Sequence, residues 1–441
     1  MDACFKPDYN KAKSKSEAIF EGTNYRITIL SERLVRLEYN KDGQFFDDLT
    51  ELVRNRDFDI PEFKVNQDDK YLEITTKYFM LKYVKEKPFE GLNIEIYLLN
   101  TDKIWNVKSK EVRNFNTSGQ GFILDKADYQ KGLYSVDGFV TLDDNASMII
   151  NQDGFLTPNV ENRFDKYVFM YRRDFGMCLK DYFTLTGYPP LIPRYALGNW
   201  WNKSEIYNFM DVSNLLSKFN REDIPLAVVL LDEFWHLKDA RDLDKYKTGF
   251  TFNRNLFSDP VYFTNFLHER GVKLGLNINP TEGIMPHEDA YDMIASELGL
   301  NDKSTIPFNA FDKNILQIYL HQLIEPLEQK GIDFFWVSYD DAKDILTKRA
   351  LSYYHYYYAD RFDNKRGLEL IYKNDHYSFI MAASWAKLIK KDLYNGLQYP
   401  DGKIFEDIYM SHQLINKCKK IVFTNEVMYY YYQWSESILG K

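Results

Sequence analysis

The sequence predicts a multidomain β plus α/β chain: an amino-terminal β-sandwich, a central run of βα units and a short α+β tail. Three observations carry this prediction. Short runs rich in β-branched and aromatic residues fill the chain to about residue 190, apolar strands alternating with amphipathic helices begin near Pro193, and that rhythm stops after about Arg366. The expected domains are therefore residues 1–190, 191–366 and 367–441.

In the first domain the runs YRITIL, LVRLEYN, YLEITTKYFMLKYV and NIEIYLL are separated by the turn signals NKDG, NQDD and NTDK, the pattern of antiparallel sandwich strands. In the second, RYALGNWW precedes a helix around MDVSNLLSKFN, IPLAVVLLD precedes VYFTNFLHER, and VKLGLNIN precedes AYDMIASELG. A fourth strand, Asp333 to Ser338, follows the helix LQIYLHQLIEPLEQK. Repeated βα units mean a parallel sheet covered by helices, either doubly wound or a (β/α)₈ barrel, and four units are half of such a barrel. The tail segments SFIMAASWAKLIKK, GKIFEDIYMSHQLINKCKK and IVFTNEVMYYYY follow with no Gly, Ser or Pro linker.

A chain of 441 residues is long enough for two or three domains with real cores. Its 34 Tyr, 32 Phe and 7 Trp suit a large β-rich core first and sugar-stacking surfaces second. A net charge of -9 speaks against a nucleic-acid partner and is compatible with a neutral substrate such as a sugar. Cys4, Cys178 and Cys418 lie too far apart in sequence to suggest a disulfide framework or a zinc site, which favours a reducing cytoplasm. The first twenty residues lack the apolar core of a signal peptide, and no run reaches the ~18 apolar residues of a membrane span. A soluble cytoplasmic chain with no membrane partner is expected. With no Gly-rich phosphate loop, GxSxG elbow or HExxH helix, no cofactor or metal is expected either.

In α/β barrels the carboxyl ends of the strands hold the chemistry, which directs attention to Trp200 and Trp201, Asp232 to His236, Asn277 to Asn279, and Ser338 to Asp341. Asp232 follows LAVVLL, so it must face a polar cleft or pair with a cation. Asp340 and Asp341 are adjacent and would point to opposite faces of a strand, so they cannot converge on one bond. Asp242 and Asp244 form a DxD string within KDARDLDKYK, with no strand before it, and read as a solvated loop. His287, followed by Glu-Asp, has no second His at helical spacing and reads as a helix-entry loop.

Together these segments resemble glycoside hydrolase family 31, the family of α-glucosidases and α-xylosidases. GLYSVDGFVTLDD is similar to its last sandwich strands, LTGYPPLIPRYALGNWW to its entry into the barrel, and IPLAVVLLDEFWHL to its second-strand motif. TGFTFNRNLFSDP resembles the substrate loop that follows, GVKLGLNINPTEGIMPHEDAY the third strand, and GIDFFWVSYDDAKD the fourth. The resemblance covers roughly residues 20 to 365 and implies a sandwich followed by an incomplete (β/α)₈ TIM-type barrel.

The same resemblance implies impaired hydrolysis. The family's fourth strand ends Trp-x-Asp, with that Asp as nucleophile; the matching residue is Ser338, a weak nucleophile without a base. Asp340 lies two residues on, ~6.5 Å away along an extended strand. Asp232 keeps the first of two acids usual in the second-strand motif, Phe234 replaces the other, and Asn279 replaces a usual His. The family's general acid belongs to elements after the fourth strand, which the resemblance does not include. A remnant subsite for α-linked glucosides or xylosides is expected around Asp232, Trp200, Trp235, His236 and Asn279. The tail, Ser384 to Leu439, resembles the carboxyl end of a family 2 glycosyltransferase. Glu406 and Asp407 match its ED motif, with Asp407 at the acceptor base, and Trp385 and Lys387 match the preceding WxK element, but the donor-binding half is missing. The seam falls near residues 366–377. A four-unit barrel with open edges is expected to self-associate through them.

Overall fold

The computed structural model describes residues 5–109, 132–159, 164–188, 192–238, 248–338, 345–359, 389–400, 406–418 and 421. Asp242, Asp244, Asp340, Asp341, Trp385, Lys387, Cys4 and the expected seam lie outside them. The chain divides into two compact units, Met1–Tyr354 and His355–Lys441.

The first unit opens with two antiparallel sheets of five strands each. One pairs β1 (Ile19–Glu21), β2 (Tyr25–Ile29), β3 (Leu34–Tyr39), β12 (Phe164–Met170) and β9 (Phe139–Asp143) in that spatial order. The other runs in sequence order through β4 (Lys64–Gln67), β5 (Tyr71–Thr75), β6 (Phe79–Val84), β7 (Ile94–Leu98) and β8 (Ile104–Trp105). Alternation along these strands sends Ile27, Ile29, Val35, Leu37 and Val168 from the first sheet against Leu72, Ile74, Leu81, Ile94 and Ile96 from the second. A small hairpin, β10 (Ile149–Ile150) with β11 (Leu156–Thr157), lies outside both sheets.

The far face of the first sheet is also buried, although its strands alternate apolar with charged. Helix α1 (Phe175–Thr186) brings Cys178 and Leu185 onto Leu34, Val140, Tyr167 and Phe169. Beside this patch the charges pair with one another. Arg36, 2% exposed, donates to both carboxylate oxygens of Asp165 at 2.9 and 2.6 Å, and Arg26 donates to both of Glu38 at 2.6 and 2.8 Å. Planar guanidinium groups meet carboxylates two bonds at a time, which is what keeps such a layer satisfied once it is covered.

The parallel sheet is built from β13 (Trp200–Lys203), β14 (Val228–Leu231), β15 (Lys273–Ile278) and β16 (Phe334–Val337), in sequence order. Helix α2 (Phe209–Arg221) links the first pair and starts in a capping box between Asn208 and Asp211. Helix α3 (Pro260–His268), capped by Asp259, links the second. Between β15 and β16 run α4 (Tyr291–Glu297), α5 (Lys313–Ile318), a π-helical turn (Tyr319–Ile324) and α6 (Glu325–Glu328). Pro326 cannot donate to the carbonyl one α-turn back, and the π turn falls where that bond is lost. The start of β16 is pinned by Asp333, which accepts from His268 Nε2 at 2.7 Å, the Leu274 N–H at 2.8 Å and Lys273 Nζ at 2.9 Å. Although burial opposes it, these donors hold the Asp333 carboxyl below its usual value.

The sheet curls. Trp200 on β13 and Phe334 on β16 have ring centroids 5.1 Å apart, though two strands separate them, a span of ~14 Å between the outer strands in a flat sheet. Gly275 on the intervening β15 makes room: a Cβ there would lie 2.3 Å from the Phe334 ring. The concave face is thus filled at its amino end by aromatic side chains. Strand β13 begins at Trp200, while RYAL, Arg194–Leu197, forms a 3₁₀ turn. Proline at 193 favours this extended entry and turn over a continuous strand.

After β16, helix α7 (Ile345–Ala359) returns to the sandwich: Arg349 pairs with Glu51, Arg54 donates to the Tyr353 hydroxyl at 3.1 Å, and the Leu156 N–H to that of Tyr354 at 2.8 Å. Sandwich and parallel sheet both fall within the unit Met1–Tyr354, which contains the boundary the sequence suggested at residue 190. In the second unit the described elements include a 3₁₀ turn, Lys391–Tyr394, and α8 (Glu406–Lys417). Among the described residues no helix is long and apolar enough to cross a membrane.

Two substitutions test the packing. Asp165→Ala leaves Arg36 buried without its bidentate partner and should cost ~3–5 kcal/mol of unfolding free energy in denaturant titration. Gly275→Ala should displace Phe334 from Trp200 and cost ~1–3 kcal/mol, with near-ultraviolet circular dichroism reporting the disturbed aromatic contact.

Candidate functional site

The parallel register decides which side chains meet at the carboxyl end of the sheet. Leu230 pairs with Gly275, and Gly275 with Phe334, so residues two and four positions further along each strand share the concave face. On this face Asn277 lies beside Trp336, and Asp232 and Ser338 lie at the strand ends. Asn277 bridges the latter two. Its Nδ2 donates to Asp232 Oδ1 at 2.8 Å, and its Oδ1 accepts from Ser338 Oγ at 3.0 Å. The Glu233 N–H adds a bond to the same Asp232 oxygen at 2.9 Å.

This chain of bonds has a direction. Ser338 gives its proton to an amide oxygen, which is not a base, so the hydroxyl is held but not activated. Asp232 receives two donors on one oxygen, which answers the cost of placing a carboxylate after an apolar strand. Trp336, 53% exposed, supplies an open aromatic surface beside this polar row.

The remaining expected site residues separate into several roles. Trp200 is in register with Val228, four residues before Asp232, or ~13 Å along the strand, and its indole donates to the Ala196 carbonyl at 3.1 Å. It packs the amino end of the concave face and is not brought to Asp232. Trp235 and His236 are each 2% exposed and so face the interior, presenting no open surface to a ligand. Trp235 Nε1 donates to the Asn277 carbonyl at 2.9 Å, and its ring meets Phe252 edge-on at 4.6 Å. His236 Nδ1 donates to the Leu237 carbonyl at 2.6 Å, and burial pushes its imidazole down to about 4, so the ring is neutral near pH 7. Asn279 caps a 3₁₀ turn by accepting from the Thr281 N–H and hydroxyl at 3.2 and 2.6 Å. Phe234 lies beneath Lys238, whose ammonium is 4.3 Å from the ring centre. In the second unit Asp407 occupies the first turn of α8 and accepts from the Ile408 N–H at 2.9 Å.

A short strip, Thr248 to Asn253, walls the site. Its backbone bonds tie it to neighbours on two sides: the Asn279 N–H donates to Thr248 O at 2.9 Å, the Leu237 N–H to Thr251 O at 2.9 Å, and the Asn253 N–H to Trp235 O at 3.0 Å. Gly249 has φ +78°, and a Cβ there would lie 3.0 Å from the Asn277 carbonyl, so the strip approaches β15 as only glycine permits. Sequence reasoning about strand ends passed over Trp336, which sits inside a strand, and treated the wall as a loop.

Residues 189–398 match the family model for the glycosyl hydrolases family 31 TIM-barrel domain. That span runs beyond residue 366, into the segment the sequence suggested was tail. An α-xylosidase of Saccharolobus solfataricus is 27% identical over 194 residues, which are 44% of this chain and 24% of that enzyme. Glycosyltransferase GlyA of Streptococcus pneumoniae is 26% identical over 151 residues, 33% of this chain and 21% of its own. Among solved structures, the family 31 dextranase of Flavobacterium johnsoniae, complexed with glucose, superposes with a TM-score of 0.53 at 16% identity, covering 81% of this chain and 52% of the dextranase. This chain thus spans about a quarter or less of the length of these two curated relatives and about half of the solved one. Barrel match, α-xylosidase kinship and shared fold together relate this chain to the family 31 glycoside hydrolases.

Proposed function

We propose that this chain binds α-linked glucosides or xylosides at the carboxyl end of its parallel sheet and is impaired in hydrolysing them. The observation that carries this reading is the Asp232–Asn277–Ser338 chain of hydrogen bonds, in which the Ser338 hydroxyl, placed by the family resemblance where the nucleophile is expected, donates to an amide. Retaining hydrolysis needs a carboxylate that can bond to the anomeric carbon and a second to protonate the leaving oxygen. Asp232 is already engaged by Asn277 and the Glu233 N–H, which suits it to receive sugar hydroxyls on its other oxygen rather than attack carbon. Trp336 offers an aromatic face for the apolar side of a sugar ring. The α-xylosidase activity of the Saccharolobus relative supports the choice of sugar.

A glycosyltransferase reading has the tail resemblance and the GlyA match in its favour, with Asp407 as the acceptor base. It supplies no donor-binding half, so incubation with UDP-sugars and manganese is expected to release no UDP. Self-association through the outer strands β13 and β16 remains part of the proposal, and sedimentation should detect it as concentration-dependent mass.

Isothermal titration with isomaltose, maltose and an aryl α-xyloside tests the main reading. Binding without turnover above the buffer rate is expected. Asp232→Ala should weaken it ~10- to 100-fold, the worth of a hydrogen bond to a charged group. Trp336→Ala should also weaken it while leaving the melting temperature nearly unchanged, because the ring is exposed. Turnover that disappears with Asp232→Ala would contradict the impairment, and the absence of binding by any of the three sugars would contradict the sugar site.

A further inference from the structure

We propose that Glu288 is a positioning residue for this site: it pins the Thr248–Asn253 strip against the end of β15 and so fixes the backbone that carries Asn279, His236 and Trp235. The inference rests on the sugar-binding reading for its functional consequence, though not for its structural one.

The geometry is a short relay. Glu288 is 4% exposed, and its carboxyl is hydrogen-bonded to the hydroxyl of Thr248, itself fully buried. The Thr248 carbonyl holds the Asn279 N–H at 2.9 Å. Next along the strip, Gly249 abuts the Asn277 carbonyl, the Ile278 Cα and the His236 ring. Thr251 Oγ1 accepts from the Asp289 N–H at 2.9 Å, which closes the relay onto the turn that bears Glu288. Loss of the Glu288 contact frees the strip from the turn before α4, and the strip's own bonds to Trp235, Leu237 and Asn279 then move with it. Asn277 sits under two of those contacts, through its carbonyl bond to Trp235 and its closeness to Gly249, so the bridge between Asp232 and Ser338 depends on the strip's position.

Burial, rather than the hydrogen bond itself, makes the pin sensitive to protonation: the Thr248 hydroxyl can donate to either form of the carboxyl, but the charged form has lost its water. Burial pushes the Glu288 carboxyl up to about 7, with partial relief from the Thr248 and Thr251 hydroxyls and the Phe250 N–H, while the Asp289 carboxylate raises it further. The other titratable groups near it are His287, whose Nε2 is 3.9 Å from Glu288 Oε1 and whose charge also bears on His236, and Arg254, which is paired with Asp289 at 3.4 Å. A carboxyl whose folded value lies above its ordinary 4.5 contributes stability that is fully present below 4.5 and lost as pH rises through about 7. The strip should therefore be held at pH 6 and loosened at pH 8.

Hydrogen exchange read by mass spectrometry on the full chain, corrected for the intrinsic effect of pH, tests the pin without any ligand. Peptides covering residues 248–253 should lose protection between pH 6 and pH 8 in the wild-type chain. Glu288→Gln, a neutral isostere, should keep that protection at both values, and Thr248→Val, which removes the partner, should leave these peptides poorly protected at both. Titration with isomaltose then reads the consequence. Wild-type affinity should weaken about tenfold from pH 6 to pH 8, and that of Glu288→Gln should stay level. The proposal is overturned if the wild-type strip shows no pH step, or if Glu288→Gln or Thr248→Val shows the same step as wild type. Loss of protection together with no isomaltose binding at either pH would keep the pin and remove the sugar-binding reading.

Discussion

Strand register in the parallel sheet is the constraint on which the site depends. Each strand of β14 to β16 pairs with its neighbour one residue row at a time, and a slip of one residue would turn Asn277 away from Asp232 and Ser338 together. Two features secure the register from below. Asp333 clamps β16 to β15 through three donors, and the Phe334 ring fits over Gly275 against Trp200. The apolar filling at one end of the curl and the polar row at the other are therefore two consequences of one pairing.

Above that row the site is closed by polar side chains that bond to nearby backbone. Trp235 reaches the Asn277 carbonyl, His236 reaches the Leu237 carbonyl, and Asn279 caps its own turn. The Trp235 and His236 side chains are closed to a ligand where Trp336 is open. Burial sets Trp235 and His236 apart from Trp336, and the proposed contact set is Asp232, Ser338 and Trp336.

Much of this was legible in sequence. Apolar runs ending at Asp232, Asn277 and Ser338 located the row, because residues that close a parallel strand must lie at the carboxyl face. Trp200 was misjudged for a specific reason: RYALGNWW reads as one strand, but Arg194–Leu197 turns, so Trp200 begins β13 and falls at the opposite end. Trp235 and His236 follow a strand end, as site residues do, yet nothing in one sequence says which way a loop residue points. Glu288 sits in the polar string HED, where a solvated loop is the ordinary reading, and its burial follows only from the Thr248 strip folding over it. The charged alternation of β2 and β3 hid a second buried face in the same way, since bidentate pairing of Arg26 and Arg36 is a tertiary fact.

The proposed site, which would hold a glycoside without breaking it, makes a direct demand on structure. A crystal of this chain soaked with an aryl α-xyloside should show the glycoside intact, its ring over Trp336 and a hydroxyl bonded to Asp232, with the Ser338 hydroxyl still donating to Asn277. A cleaved sugar, a covalent bond from the sugar to the protein, or a glycoside seated away from Asp232 would contradict the account.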